Sequence, residues 1–571
     1  MTSTLPRRLL LLRLSAVRLS ALRLSPLRLS PLRLSWLRLS ALRLSPLRAA
    51  TLAMMLSLTA AAPAHAAPSL PSDNVAWLPA AADADVDAAF KRARAENKPL
   101  FLYWGASWCP PCNQLKATLF NRADFAAQSR NFIAVHVDGD RPGAQKVSRR
   151  FKVTGYPTMV LFRPDGSEIT RLPGEADAPQ VMTLLQLGLA GGRPVKTVLA
   201  DALAGKPMTP NDWRLLAFYS WETDGDQVLP KAEVPGTLAR LAAAAPAAEG
   251  ADSEITTRLW LKALAASDDG QGLKPDAALR QRVLKLLADP VAARAQADVL
   301  TGSTAAALVR ALTPEPGAER TPLLAAFDST LRRFEADASL SRNDRLGALH
   351  ARVELARIDA GRQDVQVTLA PALVQEVRTH TARADREITD GYERQAVITY
   401  AAHVQARAGQ WAESNALLQS NLAKSASPYY LMSQLGGNLR KLGRNDEALR
   451  WYEQSYLKAE GPATRLQWGS GYLTALVELA PQQAARIEKT AARLLQDAAA
   501  DEAAFEGRSL RSLQRAATQL TAWNKDGKQA KALRRLQTQL DGLCAKADAA
   551  DGQRAACQAL FKPAAAARKD A

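Results

Sequence analysis

The chain has 571 residues, of which 47% are hydrophobic and 23% are charged; this excludes wholesale disorder and leaves room for several domains. Its net charge is +18, but ten arginines within residues 1–66, a stretch without Asp or Glu, supply more than half of that excess. No basic stripe interleaved with aromatic residues follows, so the sequence argues against nucleic-acid binding. Abundant alanine and only 6% aromatic residues favour packed helices over a large β architecture.

The N-terminus opens with a low-complexity tract. Residues 12–48 repeat a five-residue unit that contains Leu-Arg-Leu-Ser, as at 22–25 and 27–30, and a period of five keeps no single apolar face on a helix or strand. We interpret the tract as a tandem expansion or a start codon assigned too early, which leaves open whether Met1 is the true start. The alternative is a basic membrane-surface segment, against which the regular Pro26, Pro31 and Pro46 count.

A targeting signal follows the repeat. Arg48 ends the basic tract, residues 49–62 form an apolar run too short to span a bilayer comfortably, and Ala64-His65-Ala66 has a small-x-small pattern. Together these features predict a secretory signal peptide over the end of residues 1–66, cleaved after Ala66. We therefore expect an unstructured N-terminal segment, a periplasmic mature protein and no stable membrane insertion after cleavage.

Residues 67–192 alternate helical and strand patterns and predict an α/β domain. Helices are expected over 83–97, 113–120 and 177–189, and buried strands over 100–104, 132–137, 159–162 and 168–172. Between the first of these strands and the second helix lies the motif Trp-Cys-Pro-Pro-Cys at 108–112.

The position of this cysteine pair favours redox chemistry. A thiolate is the nucleophile in disulfide exchange, and a helix N-terminus stabilises the thiolate of Cys109. Cys112, one helical turn later, can close a disulfide or resolve a mixed disulfide. Zinc sites use the same spacing, but the only other cysteines are Cys544 and Cys557, and the histidines form no ligand-spaced pair. A structural disulfide with so short a loop would constrain the unfolded chain little. The sequence thus predicts no metal and no cofactor.

Two motifs, Trp-Cys-Pro-Pro-Cys at 108–112 and Gly-Tyr-Pro-Thr at 155–158, resemble the thioredoxin superfamily, and most of all the thioredoxin-like domains of periplasmic thiol-disulfide oxidoreductases. The resemblance covers about residues 75–190. It implies catalytic roles for Cys109 and Cys112, and a cis Pro157 lying against their sulfurs. It also implies that Trp108 and Tyr156 bind substrate, Tyr156 by pairing its backbone with an extended segment. The sequence departs from the family at Tyr103, where thioredoxins usually have a buried Asp that relays a proton.

Cys544 and Cys557 lie in helical sequence at the other end of the chain. In an oxidising compartment we expect them to form a structural disulfide between two helices. The alternative is a second redox pair that exchanges electrons with Cys109 and Cys112.

Strand patterns vanish after Gly191-Gly192-Arg193-Pro194. We expect a helical region over 193–394, repeats over 395–496 and further C-terminal helices over 497–571. Gly409 and Gly443 are 34 residues apart, as are Pro428 and Pro462, and this period resembles tetratricopeptide repeats. A generic antiparallel helical array is the alternative, and either arrangement predicts an α-solenoid-like body.

The expected function is that of an exported thiol-disulfide oxidoreductase. Its partners would be protein dithiols or disulfides and a redox partner protein, recruited by the concave face of the helical body. The alternative is a repeat-based binding scaffold whose redox domain is vestigial or regulatory. The direction of electron flow depends on the relative stability of the two redox forms, which motifs do not encode.

Overall fold

In a computed structural model of the chain, the described residues are 74–174, 177–246, 251–267, 272–361, 365, 367–550 and 552–561. All of them belong to the second of two units into which the chain divides, the division falling after Ala66. The predicted low-complexity repeat, signal peptide and cleavage site lie outside the described residues.

A five-stranded sheet forms the centre of the N-terminal part. Its strands are β1 (Leu78–Ala80), β2 (Leu100–Gly105), β3 (Ile133–Asp138), β4 (Thr158–Phe162) and β5 (Glu168–Leu172). Their order in the sheet is β1-β3-β2-β4-β5. The first three strands are parallel to one another, β4 is antiparallel to β2, and β5 is antiparallel to β4. The four predicted strands are present, and β1 is the additional edge strand.

Five α-helices accompany the sheet. They are α1 (Asp83–Glu96), α2 (Pro110–Leu115), α3 (Ala123–Gln128), α4 (Ala144–Arg150) and α5 (Ala178–Leu189). A π-helical turn, Lys116–Phe120, extends α2. The helix predicted over 113–120 thus begins three residues earlier, at Pro110, because proline is well suited to the first turn of a helix.

Side chains alternate between the two faces of β2, and both faces are buried. Leu100, Leu102 and Trp104 pack with α1 on one face. Phe101 and Tyr103 pack on the other face in a core that runs on through α5 into the helices that follow. The expected boundary at residue 192 therefore falls inside one continuous core, although the architecture changes there from α/β to all-α.

In the remainder the described residues form helices joined by turns and loops, without a strand. Its helices are α6 (Val195–Leu203), α7 (Pro210–Phe218), α8 (Val234–Ala244), α9 (Ala251–Ala266), α10 (Ala277–Ala288), α11 (Pro290–Arg294), α12 (Ala297–Leu300), α13 (Thr304–Leu312), α14 (Arg320–Ala336), α15 (Arg342–Ala356), α16 (Pro371–Glu387), α17 (Gly391–Arg407), α18 (Trp411–Asn421), α19 (Pro428–Lys441), α20 (Asn445–Lys458), α21 (Pro462–Leu479), α22 (Ala484–Ala499), α23 (Gly507–Trp523), α24 (Ala530–Cys544) and α25 (Gln553–Gln558). Residues 193–561 are called the helical region below, and the predicted α/β domain followed by a large helical region is confirmed.

Three helix pairs, α17–α18, α19–α20 and α21–α22, occupy the segment expected to hold repeats. Gly409 and Gly443, 34 residues apart, take up left-handed backbone conformations with φ of 80° and 73° at equivalent turns. Within the second pair Gly436 faces Tyr452 so closely that a Cβ atom would lie 3.0 Å from the ring. The assignment of these pairs as tetratricopeptide repeats stays a prediction.

A disulfide between Cys544 and Cys557 links α24 to α25, and both cysteines are buried. No helix within the described ranges is both long and apolar enough to cross a membrane.

Candidate functional site

Cys109 and Cys112 form a disulfide at the start of α2. Cys109 is the N-cap of this helix, and its sulfur accepts a hydrogen bond of 3.2 Å from the backbone N–H of Cys112. The Asn113 side chain donates to the carbonyl oxygens of Ser107 and Cys109, at 2.7 and 2.9 Å. The loop between β2 and α2 is thereby held so that the first sulfur lies at the positive end of the helix.

The second motif lies against the first. The Tyr156–Pro157 peptide bond is cis, and the Tyr156 side chain packs with Trp108 against the two cysteines. The Tyr156 hydroxyl accepts a 3.0 Å hydrogen bond from Gln145. This hydroxyl also lies over Gly139, where a Cβ atom would come within 2.2 Å of it. The structure thus brings Trp108, Tyr156 and Pro157 to one cleft wall beside the disulfide.

Trp108 connects the disulfide to the helical region. Its ring stacks on Tyr430 of α19 at a centroid distance of 6.0 Å and meets Trp468 of α21 edge-on at 6.1 Å. Its carbonyl oxygen accepts a 3.2 Å hydrogen bond from Gln395 of α17. Residues from three helices far along the chain therefore hold the tryptophan that precedes Cys109.

A part-buried ionic cluster lies under the same tryptophan. Asp140 accepts hydrogen bonds from Trp108 Nε1 at 2.7 Å, from the Thr464 hydroxyl and from Arg508. The Arg508 guanidinium also lies over the Trp108 ring at 5.1 Å and over the Tyr156 ring at 5.3 Å. Asp140 and Arg508 are 368 residues apart. Motif analysis missed them because no local pattern marks a pair so distant in sequence.

Tyr103 takes the place where the family has an acid, and its environment is apolar. The side chain is fully buried, and burial raises the pKa of its hydroxyl. The hydroxyl has no hydrogen-bond partner among the described residues. His136 stacks on the Tyr103 ring at 5.1 Å, and burial lowers the pKa of this histidine to about 3. Neither group changes its charge near neutral pH.

Two other groups do titrate near neutrality. Lys116, four residues after Cys112, is only 2% exposed, and burial lowers its pKa to about 8. Its ammonium lies 4.9 Å from the centre of the Tyr392 ring. Burial, reinforced by the charge of Asp140, raises the pKa of Asp138 at the end of β3 to about 6. Sequence reasoning missed both, although a lysine within an apolar helical turn was a usable signal.

The helical region covers the disulfide. Cys109 is 2% exposed and Cys112 is fully buried. Helix α17 packs along α2, and Gln114 of α2 donates a 2.7 Å hydrogen bond to Ser341. A cleft of about 1610 Å³ remains between the two parts and is bordered by Trp108, Tyr156 and Pro157. No group of three or more His, Cys, Asp or Glu side chains in the described segments is arranged to hold a metal ion.

A model of the thioredoxin-like domain family matches residues 86–188. This part of the chain is a thioredoxin-like domain. The match and the five-stranded sheet confirm the predicted membership of the thioredoxin superfamily for the α/β domain, which is called the thioredoxin-like domain below.

Curated relatives match in the same part of the chain. Thiol:disulfide interchange protein DsbD 2 of Pseudomonas aeruginosa is 30% identical over 127 residues, which are 22% of this chain and 22% of that protein. Thiol:disulfide interchange protein DsbD of Yersinia pestis is 32% identical over 98 residues, 16% of each chain. The chain thus spans about a fifth of the length of these relatives. A thioredoxin from Thermus thermophilus solved in solution has 24% identity and a TM-score of 0.19, covering 21% of this chain and 90% of that one.

Proposed function

We propose that the protein is an exported thiol-disulfide oxidoreductase that exchanges disulfides with polypeptide substrates through Cys109 and Cys112. The observation that carries the proposal is the geometry of the pair, with Cys109 as the N-cap of α2 and its sulfur accepting the Cys112 N–H. This arrangement stabilises a thiolate on Cys109 once the disulfide is reduced.

The reaction has two exchanges. The Cys109 thiolate attacks one sulfur of a substrate disulfide, and the other substrate sulfur leaves as a thiolate that takes up a proton. The Cys112 thiol then loses its proton and attacks Cys109, which forms the Cys109–Cys112 disulfide and releases the second substrate thiol. Two electrons pass to the substrate, and a dithiol partner protein must return them. Run backwards, the same steps oxidise a substrate dithiol.

The neighbouring residues have positioning roles in this proposal. Pro157 orders the substrate beside the sulfurs, Tyr156 pairs its backbone with an extended segment, and Trp108 shields the sulfurs and contacts substrate. The matched relatives are named thiol:disulfide interchange proteins, which supports this chemistry for the thioredoxin-like domain. The helical region, including the tetratricopeptide-like segment at 395–496, would recruit the client or the electron donor.

Export to the periplasm after cleavage at Ala66 belongs to the same proposal. An oxidising compartment suits a structural disulfide between Cys544 and Cys557, which are buried where α24 meets α25. A second function, a binding scaffold with a regulatory disulfide, draws support from the low exposure of Cys109.

Turnover separates the two functions. We expect the full chain to reduce a disulfide-linked peptide in the presence of dithiothreitol, and Cys109→Ser to reduce the rate to that of dithiothreitol alone. Cys112→Ser, reduced beforehand and freed of dithiothreitol, should instead accumulate a mixed disulfide that is visible by mass spectrometry, because the resolving thiol is absent. Cys544→Ser is the matched control and should keep full turnover. Equal rates for the wild type and Cys109→Ser would exclude the enzymatic function and favour the scaffold.

A further inference from the structure

Lys116 is a buried cation one helical turn after Cys112. Its backbone N–H donates to the Cys112 carbonyl oxygen, so the two residues stand on the same face of α2 and its π-helical extension. Residues spaced in this way have Cβ atoms roughly 5–6 Å apart, and a helical side chain points back toward the N-terminus of its helix. This geometry directs the lysine side chain toward the turn that contains Cys112, which is itself fully buried.

Little in the surroundings of Lys116 compensates its charge. Its Nζ atom lies 4.9 Å from the centre of the Tyr392 ring of α17, and the residue is only 2% exposed. The titratable groups of the sheet on this side are Tyr103 of β2 and His136 and Asp138 of β3. The first two are neutral at neutral pH. Among the described residues Asp138 is the one carboxylate whose charge acts on Lys116, and it does so from beyond ion-pair distance.

Reduction of the disulfide creates the missing anion. A disulfide is neutral, whereas the reduced pair carries a thiolate on one of its sulfurs. An opposite charge within roughly 4–6 Å favours the charged form of a titratable group. Because the site is enclosed, water and salt screen this attraction little. The ammonium is therefore uncompensated while Cys109 and Cys112 are joined, and it gains a partner when they are reduced.

We propose that the Lys116 ammonium is the counter-charge of the reduced pair and makes the Cys109–Cys112 disulfide a stronger oxidant than it would be without this charge. Stabilising the reduced form raises the reduction potential, so electrons pass more readily from a substrate to the pair. The preferred substrates are then dithiols of polypeptides. The inference rests on the proposed function for the exchange with substrate, but the redox equilibrium of the pair does not require it.

The oxidation of a substrate dithiol balances as follows. A substrate thiolate attacks one sulfur of the Cys109–Cys112 disulfide, and the second substrate thiol loses its proton and attacks the resulting mixed disulfide. The substrate gains a disulfide and gives two electrons to the pair, which ends as one thiol and one thiolate near Lys116. Of the two substrate protons, one stays on the pair and the other passes to solvent.

The test compares the redox equilibrium of the full chain with that of Lys116→Met, because methionine is similar in length and has no charge. Each protein is equilibrated with glutathione and glutathione disulfide at pH 7, and the Cys109–Cys112 pair is quantified by mass spectrometry of its own peptide. In Lys116→Met the equilibrium constant should shift toward the disulfide by roughly fivefold to tenfold, which is about 20–30 mV for a two-electron couple. The pH midpoint for alkylation of the reduced pair by iodoacetamide should rise by about one pH unit.

Two further variants separate the charge from the packing of the side chain. Lys116→Arg keeps a cation and should retain the wild-type equilibrium constant within about twofold. Lys91→Met, on the exposed face of α1, is the control for loss of a lysine charge and should leave both measurements unchanged. An equilibrium constant that stayed the same in Lys116→Met, or that changed equally in Lys116→Arg, would overturn the proposal.

A measurement on the unaltered chain does not depend on the folding of a variant. Coupling between two sites is reciprocal, so a thiolate that is stabilised by the Lys116 ammonium raises the pKa of Lys116 in return. With lysine isotopically labelled at Cε, the nuclear magnetic resonance signal that titrates at about pH 8 in the disulfide form should titrate at a higher pH after reduction. The same midpoint in both redox forms would refute the counter-charge. Failure of the proposed function would instead abolish peptide turnover and leave the redox equilibrium and the lysine titration as expected here.

Discussion

The residues around the disulfide divide into those with a local signature and those without one. Trp108, Cys109, Cys112, Tyr156 and Pro157 were predicted because two short motifs contain them, and the structure brings them together beside one cleft. Asp140 and Arg508 carry no such signature, because they meet only through the packing of α23 on the thioredoxin-like domain. Lys116 is an intermediate case. Its position one turn after Cys112 is visible in the sequence, but its burial is known only from the structure.

The buried Lys116 leads to a stability prediction. Its pKa falls from 10.5 in the unfolded chain to about 8 in the folded chain, so folding disfavours the charged form. Between those two pH values the unfolded state binds more protons, and stability therefore rises with pH. Below about pH 8 the full free-energy cost of burying the charged Lys116 side chain is present. At 1.36 kcal/mol for each pKa unit this cost amounts to about 3 kcal/mol at most.

Lys116→Met should consequently raise the free energy of unfolding by about 1–3 kcal/mol at pH 7, because methionine fills the site without a buried charge. This gain in unfolding free energy over the wild type should shrink as the pH rises from 8 to 10.5. Urea denaturation followed by circular dichroism at each pH measures it. Lys91→Met, on the exposed face of α1, should have no comparable pH-dependent effect. A loss of stability that is equal at pH 7 and pH 10 would contradict this account of Lys116.

At the scale of single elements, hydrophobic patterning predicted those with a clear period. The runs that became β2, β3, β4 and β5 alternate or are continuously apolar, and all four are strands. The edge strand β1 has three residues, Leu78–Ala80, and so short a segment has no measurable period. The helix predicted over 113–120 begins three residues earlier, at Pro110, because prolines fit a first helical turn.

The close approach of α19 and α20 depends on one small residue. Gly436 lies against the Tyr452 ring, and an added Cβ atom would stand 3.0 Å from two ring atoms and 3.1 Å from a third. Gly436→Val should destabilise the protein by about 1–3 kcal/mol through overpacking, as measured by urea denaturation. The neighbouring Gly437→Val is a matched control, since the nearest atom to a Cβ there is the Tyr452 hydroxyl at 3.7 Å. Equal effects of the two substitutions would show that backbone propensity, and not helix contact, sets the requirement for glycine.

At the scale of the whole molecule, the important relation is the packing of the helical region over the disulfide. Each part could be predicted separately, one from motifs and the other from helical periodicity. Their mutual arrangement depends on contacts between side chains hundreds of residues apart, such as Arg149 with Glu506 at 2.6 Å and Arg511 with the Thr154 carbonyl at 3.1 Å. No periodicity or motif contains this information, so the burial of Cys109 was not foreseen.

We expect the cluster of Trp108, Asp140 and Arg508 to hold the helical region against the thioredoxin-like domain and so to limit access to Cys109. The side chains of Arg508 and Asp140 are 12% and 13% exposed, and removal of Arg508 leaves the Asp140 carboxylate without its cation, a loss that costs up to about 3–5 kcal/mol when a pair is fully buried. That cost falls on the closed arrangement alone, because Asp140 gains water when the two parts separate. Arg508→Ala should therefore increase the open population and speed alkylation of reduced Cys109 by a fluorescent maleimide roughly tenfold or more, quantified by peptide mapping.

The same substitution should raise the rate at which a folded disulfide-bonded protein is reduced, while the rate for a short peptide changes little. Arg515→Ala, an exposed position on the same helix α23, removes an equal charge and should change neither rate. If Arg508→Ala left alkylation and folded-substrate turnover unchanged, the helical region would not control access to Cys109. Because alkylation reports exposure of the thiol and turnover reports productive contact with substrate, an increase in both would link opening of the cleft to the range of substrates accepted.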